Sequence, residues 1–327
     1  MYAVGVDIGA TWTRICLGDE NKGIIRKVKI RTPTTGDNLT LAKTIIKAIR
    51  EVCGEHIDEI EGIGIGSIGP LDIKRGILLN PPNIPFKEVP IVKPIMMELR
   101  KPVYLVNDCV AAVWGEKNYG EGKNYDNIVY ITISTGIGCG AIVDGHLLLG
   151  KDGNAHEVGH ITVDYTGRLK CGCGRYGHWE AYCSGKNIPK YARIILESEP
   201  NVKESILYKI TGGDWSRLTA KMIYDAAKKG DKLALKIVEE IGKINAAGIA
   251  SVINAYDPEL LTLGGSVVLN NIELTIPYIE KYLDYYLLNR KPVIKVTKLG
   301  EDIVLYGALA LVFNTPEHLK EYLSQIP

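Results

Sequence analysis

The apolar positions change period several times along the first hundred residues. A continuous apolar run at residues 2 to 6 predicts a buried strand, and runs at 14 to 18 and 24 to 30 predict two strands returning from it. Residues 38 to 52 (NLTLAKTIIKAIREV) then place Leu41, Ile45, Ile46 and Ile49 on one side of an amphipathic helix. The apolar run Ile63-Gly-Ile-Gly66 follows, then Pro/Gly/Asn-rich loops through residue 85, a helix near 91 to 99 and a strand from Pro102 to Val106. The first half is therefore expected to be an α/β domain. From Asn127 a strand, a Ser-Thr-Gly turn and two more strands repeat the order of the N-terminus, which reads as duplication of one phosphate-binding unit. Helical patterns at 217 to 229 and 231 to 255 precede the strand Leu260 to Leu263, a helix near 272 to 288, a strand near 294 to 298 and a terminal helix near 304 to 313.

A chain of 327 residues exceeds the usual size of one hydrophobic core, so two domains are expected. No low-complexity linker separates them, and the boundary is expected as a hinge near 108 to 125. The expected small domain is 1–110 plus the C-terminal helix at about 304–327, and the large domain is 111–303. Charged residues at 24% exclude disorder as the main state, and a mean hydropathy of +0.02 leaves no apolar excess for membrane spans. Lys+Arg 39 against Asp+Glu 38 gives neither a nucleic-acid footprint nor a polybasic membrane patch, so a small-molecule substrate is the default. The first apolar run meets Asp7 and Gly9 before a signal-peptide core could form, which predicts a cytoplasmic protein. Cys16, Cys53, Cys109 and Cys139 stand alone in apolar segments as small buried hydrophobes, whereas Cys171 and Cys173, with Cys183 as a candidate third member, form a group that suggests metal before disulfide.

Three glycine-bearing turns sit at strand ends. In Asp7-Ile-Gly-Ala-Thr-Trp-Thr13, Gly9 suits a tight turn, Thr11 and Thr13 offer hydroxyls, and Asp7 could orient a hydrated Mg²⁺; the alternative is a plain hairpin turn. Ser134-Thr-Gly-Ile-Gly138, with Thr135 and Gly136, repeats that chemistry, and Leu263-Gly264-Gly265-Ser266 offers a glycine pair to a base and ribose. No P-loop motif occurs, and no G-x-G-x-x-G opens a helix after the first strand. Asn107-Asp108 ends an apolar strand and opens a helical segment. A carboxylate there either caps the helix or takes the proton of a sugar hydroxyl attacking a γ-phosphoryl group. Finally, His160, Cys171, Cys173 and His178 make a complete N₂S₂ set for a closed, structural Zn²⁺ site, flanked by Glu157 and Glu180, which could accept sugar hydroxyls.

Together these residues resemble the ROK family of sugar kinases, within the actin-like, Hsp70-like and sugar-kinase fold. The resemblance runs from Asp7 to the terminal helix, and its most specific part is the E-x-G-H, C-x-C-G-x-x-G, x-x-E order at 157 to 180. It implies an α/β, two-domain actin-like/ribonuclease H-like ATPase fold with duplicated βββαβαβα units and an interdomain cleft, an ATP-dependent hexose kinase activity, and a homodimer or dimer of dimers. By matching positions, Asp108 would be the catalytic base. Ser67, Gly69, Asn83, Asn107, Glu157, His160 and Glu180 would bind sugar, His160 serving zinc as well. The turns at 7 to 13 and 134 to 138 would hold the phosphates of ATP, and Gly264-Gly265 its adenosine.

The chain departs from the family pattern at Ala10, at Ser134 and at His178, where a third zinc cysteine is usual. It has Ala155-His156 before Glu157 where glucose-type members often have Ala-Gly, so His156 could touch the C2 substituent of the sugar. The leading expectation is phosphorylation of the 6-hydroxyl of glucose or a close hexose by Mg-ATP. N-acetylmannosamine, N-acetylglucosamine or glucosamine as acceptor, and a non-catalytic sugar sensor, are the alternatives. The family's repressors carry a DNA-binding helix-turn-helix before the first strand; this chain enters that strand within its first three residues, so a repressor is not expected.

Overall fold

The computed structural model describes residues 1–81 and 84–325. Two compact units make up the chain: residues 1–130, 140–156 and 297–327 form the first, and residues 131–139 and 157–296 the second.

In the first unit β1 (Tyr2–Ile8), β2 (Trp12–Asp19) and β3 (Gly23–Arg31) form an antiparallel meander, and β4 (Ile60–Ser67) lies parallel to β1. The helix Thr40–Cys53 connects β3 to β4 and buries Leu41, Ile45, Ile46 and Ile49, as its spacing predicts, together with Ala42 and Val52. The stretch expected to be loop through residue 85 contains two short strands, β5 (Leu71–Asp72) and β6 (Ile77–Leu79), which pair with β7 (Glu88–Pro90) in a small antiparallel sheet. Strands of two or three residues are too short to show a period among Pro, Gly and Asn. β8 (Val103–Asn107) then joins parallel to β4, completing the order β3-β2-β1-β4-β8.

β9 (Ile128–Ile133), β10 (Ile137–Val143), β11 (His146–Leu147), β12 (Leu260–Gly264) and β13 (Val293–Val296) form a second five-stranded sheet in the order β11-β10-β9-β12-β13. The two orders are identical once the strands are counted from the start of each repeat. The duplication expected from the recurring strand–turn–strand pattern is thus present in the topology. The long helix Lys232–Tyr256 is capped by Asp231, whose Oδ1 accepts the Ala234 N–H at 2.8 Å. The helix expected near 272 to 288 ends at Leu283, and the helices Ile188–Glu197 and Ile206–Thr211 were not anticipated. Among the described residues no helix is long and apolar enough to cross a membrane.

The first unit is organised around the helix Ile303–Phe313 (IVLYGALALVF), in which Leu305, Ala308, Leu309 and Leu311 are fully buried. One face of β4 carries Gly62, Gly64 and Gly66, and a side chain at these positions would meet Val312, Ala308 and Val304. A Cβ on Gly64 would fall 1.8 Å from the Ala308 carbonyl oxygen, so helix backbone rests on strand backbone. On another side of the helix a Cβ on Gly307 would fall 1.7 Å from the Ala111 carbonyl oxygen of the helix Asp108–Asn118. That contact places 108–118 in the first unit and carries the unit past the expected boundary at residue 110.

Gly64→Ala must force the helix off the sheet. Its expected cost is about 3 kcal/mol, the upper end for overpacking. Gly230→Ala meets nothing within 4 Å and carries only the strain of its φ of +80°, expected at about 1–2 kcal/mol. Urea midpoints of the two variants check the order; equal losses would refute the backbone contact.

Candidate active site

The carboxyl ends of β1, β4 and β8 come into register, with Ile8 opposite Ser67 and Ser67 opposite Asn107. Chain ends at that edge of a parallel sheet are where ligands usually meet an α/β fold. Asn107 is the N-cap of the helix Asp108–Asn118, its Oδ1 accepting the Cys109 N–H at 2.9 Å. Asp108 is therefore the first helical residue, not the cap, although its own Oδ1 also lies 2.8 Å from Cys109 N. Ser67 is buried and donates to the Ile68 carbonyl at 3.1 Å. Gly69 follows in the loop to β5, which Asn154 pins by accepting the Leu71 N–H and donating to the Leu71 carbonyl, both at 2.7 Å. Asn83 lies outside the described residues.

In the turn between β1 and β2, Gly9 N–H donates to the Trp12 carbonyl at 3.0 Å, and Thr11 is exposed. Thr13 is not: it is fully buried and its hydroxyl pairs with that of Thr32 at 2.9 Å, while Thr32 also donates to the Gly9 carbonyl at 2.7 Å. Thr13 thus braces the turn from beneath instead of lining it. Asp7 Oδ2 accepts from Arg14 Nε at 2.8 Å and from Nη2 at 2.5 Å. Burial raises the Asp7 pKa and Arg14 opposes that shift. Arg14 was missed in the sequence, yet the signal is there, because a hairpin turning at residues 9 to 12 sets Asp7 opposite Arg14.

The second unit gathers the other groups. Ser134 N–H donates to the Gly136 carbonyl at 2.9 Å, closing the Ser134–Gly138 turn, with Thr135 exposed at its tip. Gly264 ends β12, and Gly265, at φ +85°, packs where a Cβ would lie 2.5 Å from the Ile133 carbonyl oxygen, so the glycine pair abuts the start of that turn. Glu180 is held by its neighbour Trp179, which is fully buried and donates through Nε1 to Asn245 Oδ1 at 2.8 Å.

His160, Cys171, Cys173 and His178 converge, each offering one ligand atom, with all four atoms within 4.8 Å of one another. The Cys171 Sγ–His160 Nδ1 and Cys173 Sγ–His178 Nδ1 distances are 3.8 and 3.3 Å. Tetrahedral Zn²⁺ would set sulfur and nitrogen ligands about 3.5 Å apart. The four donors therefore fit the ion with small adjustments. Burial, then His160, lowers the His178 pKa, which favours the neutral ligand form, and burial pushes the Cys171 thiol up to about 11, a preference that a bound cation reverses. His160 turns Nε2 to within 3.8 Å of Glu157 Oε2. Glu157 is half-exposed and its pKa is raised by burial and by the charge of Glu180, with His160 opposing.

His156 directly precedes Glu157 in the chain. It is buried at φ +52° with Nε2 2.8 Å from the Leu148 carbonyl oxygen, and it belongs to the first unit. The brace of the Cys/His loop also escaped the sequence reading. Asp164 accepts from Thr166 N at 3.0 Å, Thr166 Oγ1 at 2.5 Å, Arg168 Nε at 3.0 Å and Tyr182 OH at 2.5 Å, and Leu169 N–H donates to the same phenol at 3.1 Å.

A duplicated α/β fold with strand-end turns and a Cys/His loop defines the class of actin-like sugar kinases and their relatives. The chain belongs to the ROK family, whose pattern residues 3–315 match. It is 40% identical over 319 residues to a glucokinase of Pyrobaculum calidifontis, covering 98% of this chain and 97% of the relative. The crystal structure of a ROK family glucokinase from Streptomyces griseus in complex with glucose and AMPPNP is 32% identical, with a TM-score of 0.77 over 95% of this chain and 99% of that one. The ROK hexokinase of Thermus thermophilus is 29% identical, with a TM-score of 0.80 over 96% of this chain and 98% of that one.

The hydrogen bonds to Asp164 hold its pKa well below the ordinary 3.8, although burial opposes them. A depressed folded pKa means stability that is present above the unfolded value and lost as pH falls towards the folded one. Wild type is expected to melt above Asp164→Asn by a margin that is constant from about pH 7 to 5 and shrinks below about pH 4. Thermal melts across that range check it; a margin independent of pH would refute the charged brace.

Proposed function

We propose that this chain phosphorylates the 6-hydroxyl of glucose with Mg-ATP. The observation that carries the reading is the meeting, within one unit, of the acceptor set Glu157, His160 and Glu180 with the Ser134–Gly138 turn, in a chain similar over its full length to glucokinases.

Asn107, Glu157, His160, Glu180, Ser67 and Gly69 position the sugar, the carboxylates accepting hydroxyl protons and Asn107 adding an amide. Asp108 accepts the proton of the 6-hydroxyl as that oxygen bonds to the γ-phosphorus and the bond to the ADP oxygen breaks. The turns holding Gly9 and Thr11, and Thr135 and Gly136, supply N–H and hydroxyl donors to the phosphates, and Gly264-Gly265 lets the adenosine approach the backbone. A hydrated Mg²⁺, oriented by Asp7, would screen the phosphate charge. Zn²⁺ held by His160, Cys171, Cys173 and His178 would fix the His160 ring through Nδ1, leaving Nε2 to the sugar. The N-acetylated acceptors stay as the second reading, since His156 directly precedes Glu157 and engages Leu148 through Nε2. The location that goes with this reading is the cytoplasm.

The test is ADP formation from Mg-ATP over glucose, mannose, fructose, glucosamine, N-acetylglucosamine and N-acetylmannosamine, with a no-sugar control. Glucose is expected to give the highest kcat/KM. A higher value for N-acetylmannosamine would move the assignment to the hexosamines, and sugar binding without ADP release would make the chain a sensor. Asp108→Asn is expected to lower kcat by about 10²–10⁴-fold, with glucose affinity by calorimetry nearly unchanged; full turnover would refute the base. Metal analysis of freshly purified protein is expected to find about one zinc per chain, and Cys173→Ser to lose it; a zinc-free wild type would refute the four-ligand site.

A further inference from the structure

Sugar binding does not account for the whole environment of Glu180. Its Oε2 accepts the N–H of Ile137, the residue after Gly136 in the Ser134–Gly138 turn, at 3.0 Å. A Cβ on Gly136 would lie 2.7 Å from the same oxygen, so the turn's glycine makes room for this carboxylate. The other oxygen, Oε1, lies 3.6 Å from Cys171 Sγ. Five residues on, Gly185 N–H donates to the Ser134 carbonyl at 2.6 Å. The segment 180–185 therefore grips the turn at both ends, by a side chain at Ile137 and by backbone at Ser134. That segment is itself anchored by buried Trp179, and Asn187 Nδ2 donates to the Glu180 carbonyl at 3.1 Å.

A side chain that only accepted sugar hydroxyls would have no need of a backbone N–H in the phosphate turn. Because Ile137 N–H is engaged by Glu180, that group serves the shape of the turn, and the donors that meet phosphate must come from its other residues. We propose that Glu180 is a positioning residue for the nucleotide: through Ile137 it sets the conformation in which the Ser134–Gly138 turn receives phosphate. The same residue thereby joins the sugar-binding set and the Cys171 loop to the nucleotide turn. This inference rests on the reading of that turn as a phosphate site.

Calorimetry of AMPPNP and, separately, of glucose binding to the full zinc-loaded chain tests it, with melting temperatures confirming the fold. Glu180→Ala removes the acceptor and is expected to weaken AMPPNP binding about tenfold or more. Glu180→Gln keeps an amide oxygen for Ile137 N–H and is expected to bring AMPPNP affinity back to within about threefold of wild type, while glucose affinity stays reduced for want of a carboxylate. A purely structural role would not divide the two ligands in this way. Wild-type AMPPNP affinity in Glu180→Ala, or equal loss in both variants, would overturn the proposal, and a wild-type chain that binds no AMPPNP would overturn the phosphate reading with it. Should Glu180→Ala not fold, Gly136→Ala gives the converse test. A methyl in the turn is expected to displace Oε2 and weaken glucose binding about threefold or more in the absence of nucleotide. Unchanged glucose affinity would refute the link.

Discussion

The first unit depends on the contact of backbone with backbone. Gly64 lets the helix Ile303–Phe313 settle onto β4 until strand and helix main chains touch, and Gly307 lets the helix Asp108–Asn118 press against the same helix through Ala111. Such contacts leave no side chain between the elements to change rotamer, so the relative position of the three elements has little freedom. Gly140 adds a further contact of this kind, since a Cβ there would fall 2.0 Å from the Cys109 carbonyl oxygen at the start of the helix. Asp108 sits at the end of a helix gripped at both Cys109 and Ala111. A general base must meet its proton within hydrogen-bond reach, and the place of the residue proposed for that role is set by packing before any ligand is considered.

The second unit positions its charged group by a different route. Trp179, one of the largest side chains with no exposure, presses its indole against Gly248 of the helix Lys232–Tyr256 and donates to Asn245. The next residue is Glu180, so a fully buried aromatic anchor and a carboxylate bonded to the Ser134–Gly138 turn are adjacent in the chain. A flexible acidic side chain would lose rotamer freedom on engaging a ligand; one bonded to Ile137 has lost it at folding. Asp164 and Tyr182 do the same for the loop, tying Leu169 to the short helix that Glu180 begins.

Much of this was legible in the sequence because it rests on period and spacing. The amphipathic helix at 40–53, the buried strands and the N₂S₂ set all follow from which residue types recur where, and they lie where the spacing placed them. The duplication was visible as order and not as identity, since two sheets can share a strand order while their side chains pack different neighbours. What escaped depends on tertiary approach. Thr13 reads as a ligand in a Thr-x-Thr turn, but the strand that begins at Trp12 turns it inward to Thr32. His156 reads as a neighbour of Glu157, yet its positive φ sends the ring to Leu148. Ile63-Gly-Ile-Gly66 reads only as an apolar run; the meaning of its glycines is the helix Ile303–Phe313, which no local window contains.

The charge around the Cys/His loop bears on the kind of ligand the unit can receive. Two thiolates and two neutral imidazoles would cancel the charge of a Zn²⁺ held there, so the ion would leave no net positive field for an anion. Glu157 and Glu180 then dominate the neighbourhood, and the Glu157 pKa is raised, first by burial and further by the charge of Glu180, against the opposing effect of His160, so ionising Glu157 is costly. A partly desolvated carboxylate needs donors. A neutral polyol satisfies these acceptors with hydroxyl protons and brings no charge of its own. A sugar phosphate presented to the same carboxylates would meet repulsion. The charge around the loop thus suits neutral hydroxyl donors at these two carboxylates.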